Sequence, residues 1–308
     1  PMAEHLKLKH PVEERDLSEW STIAVELLGS QSRIVQGERW YHHVIEKGDG
    51  PPLFLYHGIG GHSETYARTL PQLAEHFHVY AVDTIFHGHS SKEGFVQEGL
   101  IDVLGDGVID LMDALGYDKV NYEGESLGGA MGVNVGFRYP ERFDKMVLNG
   151  FGRVNHNHEF KPNPSRGDLV ELSTAAVTDP TFEHIRSRLE WLVAVPERID
   201  DEMVAIRQRL YQDPSINESM RKVFNIGGTF NPDVQFPAYE EADFKAYEPG
   251  PRTLVLWGEW NPHQGYDYAE FCADLIGAKF YGVDDTGHWP QWERPDEYSQ
   301  VLIEFLQS

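Results

Sequence analysis

The stretch Gly124-Glu125-Ser126-Leu127-Gly128 sets a serine between two glycines at the spacing G-x-S-x-G. It follows an apolar run, VNYE (120–123), and precedes a helical pattern, the setting of a sharp turn that presents a nucleophilic hydroxyl. The flanking residues must be small because strand and helix close on each other there. A serine hydroxyl needs a base to attack. The segment DDTGHWPQWERP supplies His288 after the last strand pattern and before the last helix, the third place in a serine, acid, histidine order. In YHGIGGHS, after another apolar run, the glycines let the backbone approach a ligand. The N–H groups of Ile59 and Leu127 are the expected donors to a developing oxyanion, with Gly58 against the substrate and His57 read as structural. This set points to attack on a carbonyl carbon.

The acid of such a set belongs after the strand TLVLW (253–257), and the matching position in LVLWGEWNPHQ holds Asn261. The acid's work is to fix the histidine tautomer and to stabilise the imidazolium, and an amide oxygen can do only the first. In serine proteases the acid-to-amide change lowers turnover about 10⁴-fold, roughly 5.5 kcal/mol of barrier. Three readings stay open. Asn261 orients His288 in a slower enzyme, another carboxylate (Glu259, Asp285 or Glu125) reaches the histidine, or hydrolysis has been lost and the protein binds a small molecule.

These residues need a scaffold, and the 308-residue chain is long enough to bury a sizeable core. From Leu53 short apolar runs near 53–57, 79–83, 120–123 and 145–148 alternate with helical patterns at Thr65–Phe77 and Ile101–Leu115. Such alternation predicts an α/β fold with a mostly parallel sheet, helices on both faces and ligands at the carboxyl ends of the strands. Before it, Leu17, Trp20, Ile23, Ala24, Leu27 and Leu28 predict one amphipathic helix, and residues 32–47 two strands about a turn at Gly37-Glu38. Residues 152–248 show no strand pattern but helical ones at Phe182–Val195 and Asp200–Tyr211. The rhythm resumes at 253–257 and 279–283 and ends in a helix near Pro295–Leu306. The expected organisation is a core in two pieces, 1–151 and 249–308, with a helical cap at 152–248 inserted between them.

Lys and Arg total 26 against 50 Asp and Glu, a net charge of −24 that repels phosphate backbones and anionic lipid. Nucleic-acid and membrane partners are not expected, and an anionic substrate would need a local cation. The single cysteine, Cys272, rules out an intrachain disulfide and a cysteine metal cluster. With no signal-peptide pattern and no run near the roughly 18 apolar residues of a membrane span, the expectation is a cytoplasmic protein. The pairs His87/His89 and His156/His158 lack a third ligand at a recognisable spacing, so no metal site is expected.

The elbow ESLGG followed by GFRYPERFDKMVLNG, the cap stretch RIDDEMVAIRQRL and the closing GHWPQWERPDEY resemble the α/β-hydrolases over nearly the whole chain. Within them the closest resemblance is to the meta-cleavage product hydrolases, which split carbon–carbon bonds in 2-hydroxy-6-oxo-dienoates from aromatic-ring degradation. The resemblance implies an α/β-hydrolase fold with an inserted cap, Ser126 as nucleophile or water-positioning group, His288 as acid and base, no cofactor and a possible homodimer. It also implies that Arg207 binds a substrate carboxylate and that Trp289 lines the pocket. A planar guanidinium suits the first role, because it grips a carboxylate bidentately. Departures are the loop GIGGHS, Glu125 where a neutral polar residue is usual, and Asn261. A carboxylesterase with the same machinery and a catalytically weak receptor are the alternatives.

Overall fold

The computed structural model describes residues 3–228 and 231–308. The first two residues of the expected core and residues 229–230 of the expected cap lie outside the described residues. Among the described residues nine strands form one sheet: β1 (Glu4–His5), β2 (Gln31–Gln36), β3 (Tyr41–Lys47), β4 (Pro52–Tyr56), β5 (His78–Val82), β6 (Val120–Glu125), β7 (Phe143–Asn149), β10 (Thr253–Gly258) and β11 (Lys279–Val283). Two-residue strands β8 (Val154–Asn155) and β9 (Tyr239–Glu240) pair separately in parallel. They correct the expectation that 152–248 holds no strand; two residues are too few to leave a periodic trace.

The sheet runs β1-β11-β10-β7-β6-β4-β5-β3-β2. The hairpin β2–β3 and the β3–β5 pair are antiparallel, and the other pairs are parallel. Alternate residues of a strand face opposite sides, and both sides are covered. Phe54 and Tyr56 of β4 join one core and Leu53 and Leu55 the other. The first core is closed by the helices α1 (Leu100–Leu115), α2 (Leu127–Arg138) and α7 (Tyr266–Ile276), and the second by α8 (Pro295–Leu306). Burial on both faces explains why these strands read as continuous apolar runs. Each fully buried Leu or Phe contributes about 1.5–3 kcal/mol.

Between β7 and β10 lie four longer helices, α3 (Leu169–Thr178), α4 (Phe182–Glu190), α5 (Asp201–Gln212) and α6 (Pro214–Val223), each packed on the next. Asp168, Thr181, Asp200 and Asp213 cap their N-termini by accepting backbone N–H bonds. The pattern expected at Phe182–Val195 stops at Glu190.

Two helices expected from periodicity are broken. The N-terminal stripe becomes a short 3₁₀ turn at Leu17–Glu19, capped by Asp16, and a separate turn at Ile23–Glu26, capped by Thr22. The N–H of Ile23 donates to Glu202 of α5 at 2.7 Å, a tertiary bond that outweighs local helix extension. The span Thr65–Phe77 keeps only a 3₁₀ turn at Ser63–Tyr66 and one α turn at Leu70–Leu73, interrupted where Pro71 cannot donate.

Candidate active site

The parallel register carries several loops to one edge. Tyr56 is level with Gly124, Gly124 with Leu148, and Gly258 with Val283, so the chain after each strand enters the same space. Ser126 is the single residue between β6 and α2, at φ 53° and ψ −110°. Holding a non-glycine residue there costs about 1–3 kcal/mol. The turn is held because Ser126 N–H donates to Asn149 O at 2.6 Å. A Cβ on Gly124 would stand 2.1 Å from Gly128 O, and one on Gly128 would stand 2.2 Å from Tyr56 O. Both motif glycines are therefore steric necessities.

His288 follows β11. Its Nδ1 lies 2.7 Å from Asn261 Oδ1, and its backbone N–H donates to Leu192 O at 2.6 Å. Burial, and next the charge of Arg188, pull the imidazole down to about 3, so it stands neutral with a proton on Nδ1 and a lone pair on Nε2. Glu125 approaches that second nitrogen: its Oε1 lies 3.2 Å from Nε2, while its Oε2 accepts the N–H of Gly58 at 2.7 Å. Burial, and next its neighbour Glu123, push the Glu125 carboxyl up to about 8. The other two candidate carboxylates are engaged elsewhere. Glu259 accepts the N–H of Asp285 at 2.9 Å, and Asp285 pairs with Arg198.

Ile59 lines the cavity and Leu127 follows Ser126 directly, and the backbone N–H of neither has an acceptor among the described residues. Both ring nitrogens of His57 are engaged, Nδ1 with Gly58 O at 2.7 Å and Nε2 accepting the N–H of Thr84 at 3.1 Å. Above these residues a cavity of about 310 Å³ is lined by Gly58, Ile59, Glu125, Ser126, Asn261 and His288 from the core. Arg188, Arg207, Trp191 and Leu192 complete it from the inserted segment, with Trp289 beside His288. Among the described residues no group of three or more His, Cys, Asp or Glu is placed to hold a metal ion.

A family model described as the alpha/beta hydrolase fold matches residues 51–194. The chain is 28% identical over 279 residues to a 2-hydroxy-6-oxo-6-phenylhexa-2,4-dienoate hydrolase of Comamonas testosteroni, covering 86% of this chain and 90% of that one. It is 26% identical over 273 residues, with the same coverage, to a 2-hydroxy-6-oxononadienedioate/2-hydroxy-6-oxononatrienedioate hydrolase of Comamonas testosteroni. The solved 2-hydroxy-6-oxo-6-phenylhexa-2,4-dienoate hydrolase from Rhodococcus sp. strain RHA1 superposes with a TM-score of 0.76 at 24% identity, over 91% of this chain and 99% of that one. The chain has the α/β-hydrolase fold.

In this α/β-hydrolase fold the helices between β7 and β10 contribute what the core lacks. Arg207 of α5 is 2% exposed, with Cζ 5.8 Å from the Tyr211 ring centroid and 6.0 Å from that of Trp289. Its Nε and Nη2 have no partner among the described residues. Arg188 of α4, which sequence reasoning missed, is 4% exposed and donates Nε to Ser173 Oγ at 2.9 Å, and its Nη1 has no partner among the described residues. Its signal was present: Ile185, Arg188, Leu189 and Leu192 form an i, i+3, i+4, i+7 stripe with a cation inside it. Asn163 was also missed. Its Nδ2 donates to Glu259 O at 2.8 Å and Asn261 O at 3.0 Å, fixing the loop that presents the amide to His288. Buried Glu293 ties the histidine loop to the inserted segment, accepting N–H bonds from Gly287 at 2.7 Å and Ala194 at 3.0 Å and pairing with Arg198.

Proposed function

We propose that this α/β-hydrolase cleaves the carbon–carbon bond next to a ketone in an acidic dienoate of the 2-hydroxy-6-oxo type. The carrying observation is Arg207, a buried guanidinium that lines the same cavity as Ser126 and His288 and has two donors without a partner among the described residues. A buried cation without a partner is costly, and a substrate carboxylate supplies the missing acceptors. The names of the relatives support a dienoate as that acid.

In this reading Arg207 anchors the carboxylate and Trp289 packs on the chain. Ser126, or a water it positions, attacks the ketone carbon while His288 Nε2 takes the proton released. The oxyanion then collapses, the carbon–carbon bond breaks and the imidazolium returns that proton to the departing carbon, with water hydrolysing the acyl ester where Ser126 itself attacked. The N–H groups of Ile59 and Leu127 receive the oxyanion, and Asn261 holds the Nδ1–H tautomer. Glu125 supplies the charge that the amide cannot. Once ionised, it faces the imidazolium at 3.2 Å, a gross attraction of about 5 kcal/mol at an effective dielectric of about 20. Glu125 answers the question raised by Asn261 by acting at the opposite ring nitrogen.

The cap boundaries 152–248, a cytoplasmic location and a homodimer belong to the same reading. The lone cysteine, Cys272, as a free thiol supports the second, and exposed Val25 and Leu28 support an apolar contact for the third. Among the described residues no helix is long and apolar enough to cross a membrane.

The test is the decay of the visible absorbance of 2-hydroxy-6-oxo-6-phenylhexa-2,4-dienoate on adding the protein. Bleaching with release of benzoate, reduced about 10⁴-fold or more by Ser126→Ala, is expected. Ester hydrolysis with no bleaching of any dienoate would favour the esterase instead.

A further inference from the structure

The cavity holds a second cation that anchoring one carboxylate leaves unused. Arg188 is clamped at Nε by Ser173, so its direction is set, and its buried Nη1 meets no acceptor among the described residues. On Arg207 the free atoms are Nε and Nη2, the adjacent pair that grips both oxygens of one carboxylate. A single carboxylate bound there is used up, and Nη1 of Arg188 still lacks a partner.

Charge gives the same count. Of the protein's 50 acidic residues only Glu125 lines this cavity among the described residues, and burial holds its carboxyl toward the neutral form. Arg188 is pulled down by burial only to about 10 and stays cationic at neutral pH. Two guanidinium groups thus face one carboxyl that resists ionisation, in a protein with many acids that could have neutralised them. The same cavity is lined by Leu169, Trp191 and Leu192, with the Trp191 ring centroid 5.7 Å from Arg188 Cζ, which suits a hydrocarbon or unsaturated chain leading to a charged end.

Building on the reading that Arg207 anchors the first carboxylate, we propose that Arg188 binds a second carboxylate of the same molecule, so that the site selects dicarboxylate substrates. Arg207 orders one end, and Arg188, positioned by Ser173, reads the other.

Binding to Ser126→Ala protein separates this proposal from turnover. Hexanoate, 2-oxohexanoate and adipate are titrated calorimetrically into Ser126→Ala with Arg188 intact, with Arg188→Met and with Arg188→Lys. Adipate is expected to bind at least about tenfold tighter than the other two when Arg188 is present. Arg188→Met should reduce that ratio below about threefold, and Arg188→Lys should recover part of it. Equal affinities for adipate and hexanoate, or no adipate binding at millimolar concentration, would overturn the proposal. So would a matching loss for both acids in Arg188→Met, which marks a structural cation, and an Arg188-dependent gain for 2-oxohexanoate equal to that of adipate, which marks recognition of the oxygen beside the first carboxylate. Because no bond is broken, failure of dienoate cleavage would leave the result standing, and the lysine variant serves if the methionine variant misfolds.

Discussion

The two halves of the cavity are finished to different degrees. On the core side, Ser126 is locked by a backbone bond to Asn149, His288 by Asn261 and Leu192, and Glu125 by Gly58. On the cap side, Arg188 and Arg207 are as deeply buried, yet three of their nitrogens have no partner among the described residues. Buried polar groups are almost always satisfied, so an exception needs a physical reason. The core half carries groups whose geometry must exist before charge develops, which is how preorganised catalysis avoids reorganisation during the reaction. In the proposed reading the cap half is completed by the ligand itself.

That contrast is open to attack from either side. The larger effect is expected at the cap. Arg207→Met should lower kcat/KM for a dienoate by about 10²–10³-fold, the loss typical when one member of a desolvated charged contact is removed. Hydrolysis of a neutral p-nitrophenyl ester should fall less than about threefold, because the core machinery does not touch Arg207. Stopped-flow rates on both substrates check this, and equal losses would show that the halves are not separable.

A smaller effect is expected in stability. The Glu125 carboxyl, raised to about 8 from 4.5, keeps in the folded state a proton that the unfolded chain has released. Its contribution is present at low pH and is lost as pH rises from about 4.5 through 8. Between pH 7 and 9, where the buried histidines His57 and His288 are neutral, Glu125→Gln should remove about 1 kcal/mol of the alkaline loss, measured by urea unfolding. Arg207→Met should leave most of that slope in place if the two halves are independent.

The sequence displayed most of the scaffold and the chain order of the site. Strands β4, β6, β7, β10 and β11 are buried on both faces and read as apolar runs, and the residues after them fall at one sheet edge by topology alone. Ser126, His288 and Asn261 followed from that order. Chain order could not say which carboxylate meets His288, because Glu125, Glu259 and Asp285 are all near it in sequence or topology and only side-chain direction separates them. Asn163 lay in a segment whose partners, Glu259 and Asn261, come from a distant part of the chain, and Arg188 bonds Ser173 of the preceding helix while lining a cavity shared with the core, although the cation within an apolar stripe was visible there. The broken helices at 17–28 and 65–77 failed for a related reason. Periodicity reported the buried positions correctly, while Pro71 and the bond from Ile23 to Glu202 decided how the backbone reached them.

The central claim is that Glu125 carries the charge that Asn261 cannot. Its most direct test is the pH dependence of kcat/KM for dienoate cleavage in the parent, Glu125→Gln, Asn261→Asp and the double variant. Since burial holds the carboxyl protonated until about pH 8, the parent rate should climb through that value as Glu125 ionises. Glu125→Gln should lose the climb and fall about 100-fold at pH 9, and adding Asn261→Asp should restore at least about tenfold by returning a carboxylate to Nδ1. A Glu125→Gln enzyme with the parent's rate and pH profile would contradict the account.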